Sequence, residues 1–242
     1  MKLQPPESLP APEDRLKVAL RVVTDADSQV QFAECGFGTD AEDESGAKWG
    51  EAYADLPVPN ARDAAEFGAL ASKRWRYYRK QGAVVRNLNA LKKAIRDQPN
   101  AEVAMLAVMR APWFAPDNIL GVCHFRRTWA NSLYVDFLAR HPLLETGSDR
   151  DVRGVGLNLT AFIVRLARAI SATRVWGESA EGAAGFWQKI FRAMRSSDEL
   201  RLSRNHYGAF LDRELSKGAM LAMDAIQKSV AEKSLPPNLP QP

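Results

Sequence analysis

Cysteine is nearly absent: Cys35 and Cys123 are the only two in 242 residues. Two thiols make no disulfide framework, and both read as free. No Cys/His cluster accompanies them, so the sequence offers no zinc-type site. Long apolar runs are missing as well; none approaches the roughly 20 residues that span a bilayer. Met1–Glu13 carries Pro5, Pro6, Pro10 and Pro12 with acidic neighbours, unlike a secretory signal. The expectation is a cytoplasmic protein without a membrane segment. Two phosphate-binding signatures are also lacking. Gly154 and Gly156 are not followed by Gly-Lys-Ser/Thr, which excludes a Walker loop, and no third glycine completes a Rossmann fingerprint.

What is present fits a soluble globular chain, with 46% hydrophobic and 26% charged residues. The net charge is only +4 but unevenly placed. Asp25, Asp27, Glu34, Asp40, Glu42, Asp43, Glu44, Glu51 and Asp55 make the early chain acidic, and Arg62–Arg96 is strongly basic. Such asymmetry implies either an acidic partner or pairing between the two regions.

Alternation predicts strands at Arg15–Thr24 and Gln29–Phe37. Gly38–Gly50, acidic and glycine-containing, reads as a loop, and Pro57 and Pro59 as breaks. A helix follows from about Ala61 to Gln81, with Asn60 as its cap. A second covers Ala83–Asp97, with Val84, Leu88, Leu91 and Ile95 on one face. Glu102–Arg110 is almost continuously apolar, as a buried central strand is. Ile119–Thr128 and Leu133–Ala139 continue an antiparallel meander. Asp151–Ile170 turns apolar at helical spacing behind Gly154 and Gly156. The helix runs over Gly156–Ser171 and leads to a parallel strand at Arg174–Gly177. A helix head with glycines lets backbone approach a ligand, and its free N–H groups and dipole favour phosphate. A plain turn before a core helix reads equally well from this stretch alone.

Three phrases extend the pattern: Leu138-Ala139-Arg140-His141-Pro142, then Arg153-Gly154-Val155-Gly156-Leu157-Asn158, then Ala183 with Phe186, Trp187, Gln188, Lys189 and Ile190. In this order the chain resembles the GNAT superfamily of acetyl-CoA-dependent N-acyltransferases, over about Ile119–Phe191. The resemblance implies an α/β fold with a mixed, largely antiparallel sheet flanked by helices. It also implies two parallel strands that splay to admit the pantetheine arm. Residues 14–205 would form this domain, between a tail at 1–13 and a helical extension at 206–234, with a second tail at 235–242. Here the chain departs from the family, which normally closes with strands; only Leu200–Tyr207 offers one. Other departures are the insertion Leu143–Asp151, Trp187 in place of a tyrosine, Ala180 in place of an asparagine, and Asn158 in place of Gly or Ala.

Acyl transfer from a thioester needs a held, polarised carbonyl, a neutral amine, and a proton or donor for the leaving thiolate. The resemblance assigns the coenzyme diphosphate to the amides of Arg153, Gly154, Val155, Gly156, Leu157 and Asn158. It assigns the pantetheine to the strand edge at Leu138, Ala139 and Arg140. Arg153 and Lys189 add positive charge. For the base, Asp136 is a lone carboxylate in an apolar strand, on one face with Tyr134 and Leu138. Burial would raise its pKa and suit it to accept a proton; a carboxylate held by a nearby arginine is the equal alternative. Glu178, at the cleft mouth in the family layout, is the other candidate. His124 reads as a strand residue and His141 as a structural part of its phrase, and both rank below the carboxylates. Trp187 has no usable acidic proton, which leaves Tyr134 and Tyr207, the latter folding back over the cleft.

The leading reading is therefore an N-acyltransferase using acetyl-CoA on an unspecified amine. One rival is a degenerate relative that binds acyl-CoA or only keeps the fold. The other is a nucleic-acid-associated protein. Lys73, Arg74, Arg76, Arg79, Lys80, Arg86, Lys92, Lys93 and Arg96 interleave with Trp75, Tyr77 and Tyr78, as phosphate attraction and base stacking require. The bland alternative is a solvated helix face with its aromatics in the core. A C-terminal apolar stripe, Phe210, Leu211, Leu215, Met220, Leu221 and Ile226, offers a homodimer surface.

Overall fold

The computed structural model describes residues 14–24, 27–53, 55–56, 59–144, 150–180, 183, 186–187 and 206–212. Strands β1 (Arg15–Thr24) and β2 (Ser28–Phe37) form a hairpin, as their alternation predicts. Val18, Leu20 and Val22 face the core while Lys17 and Arg21 do not.

The stretch expected as an acidic loop is instead mostly helix α1 (Asp40–Ala52). The Thr39 side chain accepts from the Glu42 amide at 3.3 Å, and Glu42 Oε2 accepts from the Thr39 amide at 2.8 Å. This reciprocal cap, with Asp40, Glu42 and Asp43 in the first turn, satisfies orphan amides and complements the helix dipole. The acidity that reads as solvation is first-turn chemistry. Helix α2 (Pro59–Lys80) begins at Pro59 rather than after an Asn60 cap, because proline suits the first helical position. Helix α3 (Leu88–Asp97) starts five residues later than expected. Val84 leaves the helical stripe to bridge Ala104 of the sheet. Asn87 Oδ1 caps the Ala90 amide at 2.7 Å, and the buried Asp14 carboxylate accepts from the Leu88 amide at 2.6 Å.

Strands β3 (Val103–Arg110), β4 (Ile119–Arg127) and β5 (Leu133–Arg140) form the meander. The insertion after β5 holds a short 3-10 turn at Pro142–Leu144 and a strand, β6 (Arg150–Arg153), paired antiparallel to β1. Helix α4 (Val155–Ala169) then crosses to β7 (Arg174–Ala180), which lies parallel to β5. The helix expected from Tyr207 begins instead as strand β8 (His206–Asp212), antiparallel to β7. Its backbone pairs along β7 from Arg174 to Ala180. The rest of the expected extension, and Gln188, Lys189 and Ile190 of the third phrase, lie outside the described residues.

The eight strands run β6-β1-β2-β3-β4-β5-β7-β8, antiparallel except between β5 and β7. This is the mixed, largely antiparallel sheet expected. Helices α3 and α4 cover one face, where Met105, Ala107 and Met109 meet Leu91, Leu159, Phe162 and Ile163. Helices α1 and α2 cover the other, where Leu106, Val108 and Val122 meet Trp49 and Trp75. Burial on both faces explains the unbroken apolar run of β3. No helix among the described residues is long and apolar enough to cross a membrane.

The reciprocal cap is testable: Thr39→Ala should cost about 1 kcal/mol, read as a lower urea midpoint with unchanged slope. An unchanged midpoint would contradict it.

Candidate active site

β5 and β7 pair through only three residue pairs, Leu133 with Val175, Tyr134 with Trp176 and Val135 with Gly177. Beyond them β5 runs on to Arg140 beside β4 and β7 to Ala180 beside β8, with no further pair between the two. The end of the pairing coincides with a bulge. His124 of β4 pairs with Phe137 and Phe125 with Val135, which leaves Asp136 as the extra residue. A bulge bends its strand and re-aims side chains. Val135 packs with the α4-side core, Asp136 meets Arg74 of α2, Phe137 packs on the α2 side, and Leu138 returns to the α4 side. The expected alternation, with Tyr134, Asp136 and Leu138 on one face, is thus corrected at the bulge. Gly177 permits the close approach at the last pair; a Cβ there would stand 2.8 Å from the Val135 carbonyl oxygen.

The head of α4 lies beside this gap. Gly154 is its N-cap at φ 97°, a left-handed conformation that favours glycine, and it brings no side chain to cap the helix. The first intrahelical bond runs from the Asn158 amide to the Gly154 carbonyl. The amides of Val155, Gly156 and Leu157 therefore have no intrahelical acceptor. Asn158, unusual at its place in the phrase, donates its side-chain N–H to the same Gly154 carbonyl at 3.0 Å and locks the cap. Gly156 lies under Phe186 and near Leu138, with the Phe186 Cζ 2.9 Å and Leu138 Cδ2 3.4 Å from where its Cβ would be. The β5 phrase and the helix head thus meet, as do the loop phrase and the start of the third. Arg153 is exposed and bonded to Asp151, and β6 ties it to Arg21 of β1.

Asp136 is nearly buried and accepts from Arg74 Nη1 and from Arg126 Nε, the latter at 3.3 Å. Burial raises its pKa, opposed by Arg126 and Arg74. Of the two alternatives the geometry fits the carboxylate held by arginine. Arg126 also reaches Glu102 and the Tyr78 hydroxyl, and stacks 4.7 Å over the Tyr134 ring. Tyr134 in turn packs edge-on to Trp176. These arginine partners lie 62 and 10 residues from Asp136 in sequence, so no spacing rule brings them together.

Glu178 is one residue past the last β5–β7 pair, with its backbone opposite Gly208. Tyr207 lies in β8, opposite Ser179 of β7. Ala180 ends β7, and Lys189 lies outside the described residues. Trp187 packs on the α4-side core and edge-on to Phe186. Cys35 and Cys123 are free and buried, with thiol pKa values pushed up by burial, which makes both poor nucleophiles.

His141 is enclosed by the ring edges of Trp49, Tyr53 and Phe114 at 4.9–5.1 Å. Its Nδ1 accepts from the Leu143 amide at 3.1 Å, so the neutral ring carries its proton on Nε2, facing the Tyr53 hydroxyl and Asp117. Asp117 accepts from Ser45 and Trp49 of α1. His141 thereby fastens the end of β5 to α1, the structural role the phrase implies. Burial lowers its pKa to about 4.

The acidic and basic regions pair within the chain. Asp40 takes Arg86 at 2.7 Å and Arg79 at 3.6 Å, and Glu42 takes Arg110. Of the aromatics set among the bases, Trp75 is buried and donates to Asp40, and Tyr78 is partly buried, while Tyr77 is exposed. That is the helix face with aromatics turned inward rather than a row of stacking platforms.

An antiparallel meander, a crossover helix with an open head, and a parallel strand that parts from its partner together make a GNAT-like fold. No family model and no curated protein matches the sequence. Among solved structures, nourseothricin acetyltransferase is 17% identical with a TM-score of 0.35, over 45% of this chain and 65% of that one, under two thirds of its length. N-acetylglutamate synthase from Neisseria gonorrhoeae, complexed with coenzyme A and L-arginine, is 20% identical with a TM-score of 0.33, over 44% and 24%. The apo form of a nucleotide-linked sugar GNAT is 5% identical with a TM-score of 0.48, over 81% and 94%. At these values the strand order and the parted pair, not the likenesses, carry the fold assignment.

Asp136→Asn should lower stability by about 2–3 kcal/mol, less than a fully buried pair costs because Arg74 is half exposed. Unchanged denaturant unfolding would contradict the paired state. The folded-state pKa of His141 lies below its unfolded value, so the unfolded chain binds the extra proton. Its contribution is complete above about pH 6.5 and is lost as pH falls toward 4. The wild-type loss between pH 7 and 4 should exceed that of His141→Gln by about 3 kcal/mol; parallel curves would refute the shift.

Proposed function

We propose that the chain is an acetyl-CoA-dependent N-acyltransferase that passes an acyl group to an amine by direct attack in a ternary complex. The observation that supports this best is the conjunction of two backbone sets. Among the described residues, the β7-facing edge of β5 from Asp136 to Ala139 pairs with no strand. Beside it, the amides of Val155, Gly156 and Leu157 open from the head of α4. A pantetheine arm carries amides that pair with the first, and a diphosphate takes the second. One ligand satisfies both only if it runs from the helix head into the gap, which puts its thioester near the bulge.

In this reading Leu138, Ala139 and Arg140 hold the pantetheine, Arg153 adds charge at the diphosphate, and Asn158 stiffens the cradle. Asp136 with Arg74 and Arg126 fixes the bulge against α2 rather than moving protons. Glu178, one residue past the last β5–β7 pair, is the candidate carboxylate at the cleft mouth. Tyr207, on the neighbouring strand, is the candidate donor to the thiolate. Helices α1 and α2 form the acceptor side.

Acetyl-CoA should stabilise the protein in a thermal-unfolding series, by about 2.7 kcal/mol at a hundredfold excess over Kd. In Gly156→Trp the new side chain displaces Phe186 and fills the cradle. Affinity should fall at least about 100-fold, with the cooperative melt retained. No stabilisation of the wild type, or unchanged affinity in Gly156→Trp, would overturn the assignment. Stabilisation without thiol release on any amine would favour the degenerate binder.

A further inference from the structure

We propose that His124, held by Asp43 and Ser72, takes the proton from the attacking amine. The inference rests on the transfer reading and supplies the base that Asp136, tied to two arginines, does not. His124 Nε2 lies 2.9 Å from Asp43 Oδ1, and Ser72 Oγ donates to Asp43 Oδ2 at 2.8 Å. All three side chains are buried, and they come from β4, α1 and α2. The carboxylate accepts the Nε2 proton, which leaves the Nδ1 lone pair free to act. Nδ1 is buried, and among the described residues it has no hydrogen-bond partner. A buried acceptor is ordinarily satisfied; one left open is completed by a ligand or a water that binds next to it.

Its place favours that occupant. His124 is paired across the sheet with Phe137, the residue that follows the bulge at which β5 leaves β7. Trp75 and Phe137 flank the ring at 6.1 and 6.2 Å. Asp43 of α1 is the charged group bonded to it, and Asp136, with Arg74 and Arg126, precedes its cross-strand partner Phe137 on β5.

The step balances without another reactant. The amine nitrogen bonds to the thioester carbonyl carbon while an N–H proton passes to His124 Nδ1, directly or across one water. The carbon–sulfur bond breaks with its electron pair on the coenzyme sulfur. Asp43 stabilises the imidazolium until its proton is passed, through the donor Tyr207 or water, to that sulfur as thiol. Asp43 and Ser72 act through His124 and are positioning residues.

The test has two arms. Nitrogen-15 NMR of the wild type, with three histidines to assign, should show His124 protonated on Nε2 and bare on Nδ1 at neutral pH. The reverse tautomer overturns the proposal, whatever the variants do. Thiol release from acetyl-CoA is then measured with water, ethanolamine and spermidine as acceptors. His124→Gln should lower kcat at least about 100-fold with the acetyl-CoA KM within about threefold, and Asp43→Asn should lower it less, with altered imidazole signals. A wild type that binds acetyl-CoA and turns over, with kcat kept in His124→Gln, overturns this assignment alone. A wild type that neither binds acetyl-CoA nor releases thiol overturns the transfer reading and this one with it, and binding without release in any of the three overturns this one.

Discussion

The pairing of β5 with β7 runs for three residue pairs and then stops, and the rest of the site follows from where it stops. Asp136 is inserted into β5 at that point, so the strand bends away while β4 still holds its other edge. Gly177 closes the last pair tightly against the Val135 carbonyl. The same inserted residue turns the chain so that Asp136 and Phe137 both face α2, and Leu138 returns to meet Gly156 at the head of α4. One bulge thus opens a backbone edge, brings it to a set of free amides, and anchors a carboxylate to the opposite helix layer.

That opposite layer is held by charge as much as by apolar packing. Arg110 grips Glu42 and the Phe37 carbonyl, Asp40 gathers Arg79, Arg86 and Trp75, and Asp117 joins α1 to β4 and to His141. The exposed pairs among these contribute little each. The buried ones fix how α1 and α2 sit on the sheet, since an unpaired charge there is costly. The acidic and basic stretches of the sequence are two sides of this interface. Asp43 belongs to the same acidic stretch, which places His124's partner in the interface as well.

Much of this was legible from residue order. Alternation located β1 and β2, the apolar run located β3, and the first two phrases located β5 and the α4 head. The capping signal Thr39-x-x-Glu42 was also present, but acidity and Gly46 and Gly50 outweighed it in a composition-led reading. The late start of α3 was not visible, because Val84 fits a helical stripe and only its bridge to Ala104 takes it out of the helix. β6 was hidden inside an insertion, and β8 inside a pattern with helical apolar spacing. The bulge defeats period-two reasoning by construction: one extra residue reverses every assignment after it. Asp136 was therefore singled out correctly as unusual, while its partners Arg74 and Arg126 depend on tertiary geometry alone. His124 looked like an ordinary strand residue because Asp43 lies 81 residues away.

The most direct measurement is an amide-resolved NMR titration with coenzyme A. The account predicts the largest shifts at Val155, Gly156 and Leu157 together with Leu138, Ala139 and Arg140, and small ones across the β1–β2 hairpin. Shifts confined to another face, or absent from the head of α4, would contradict it.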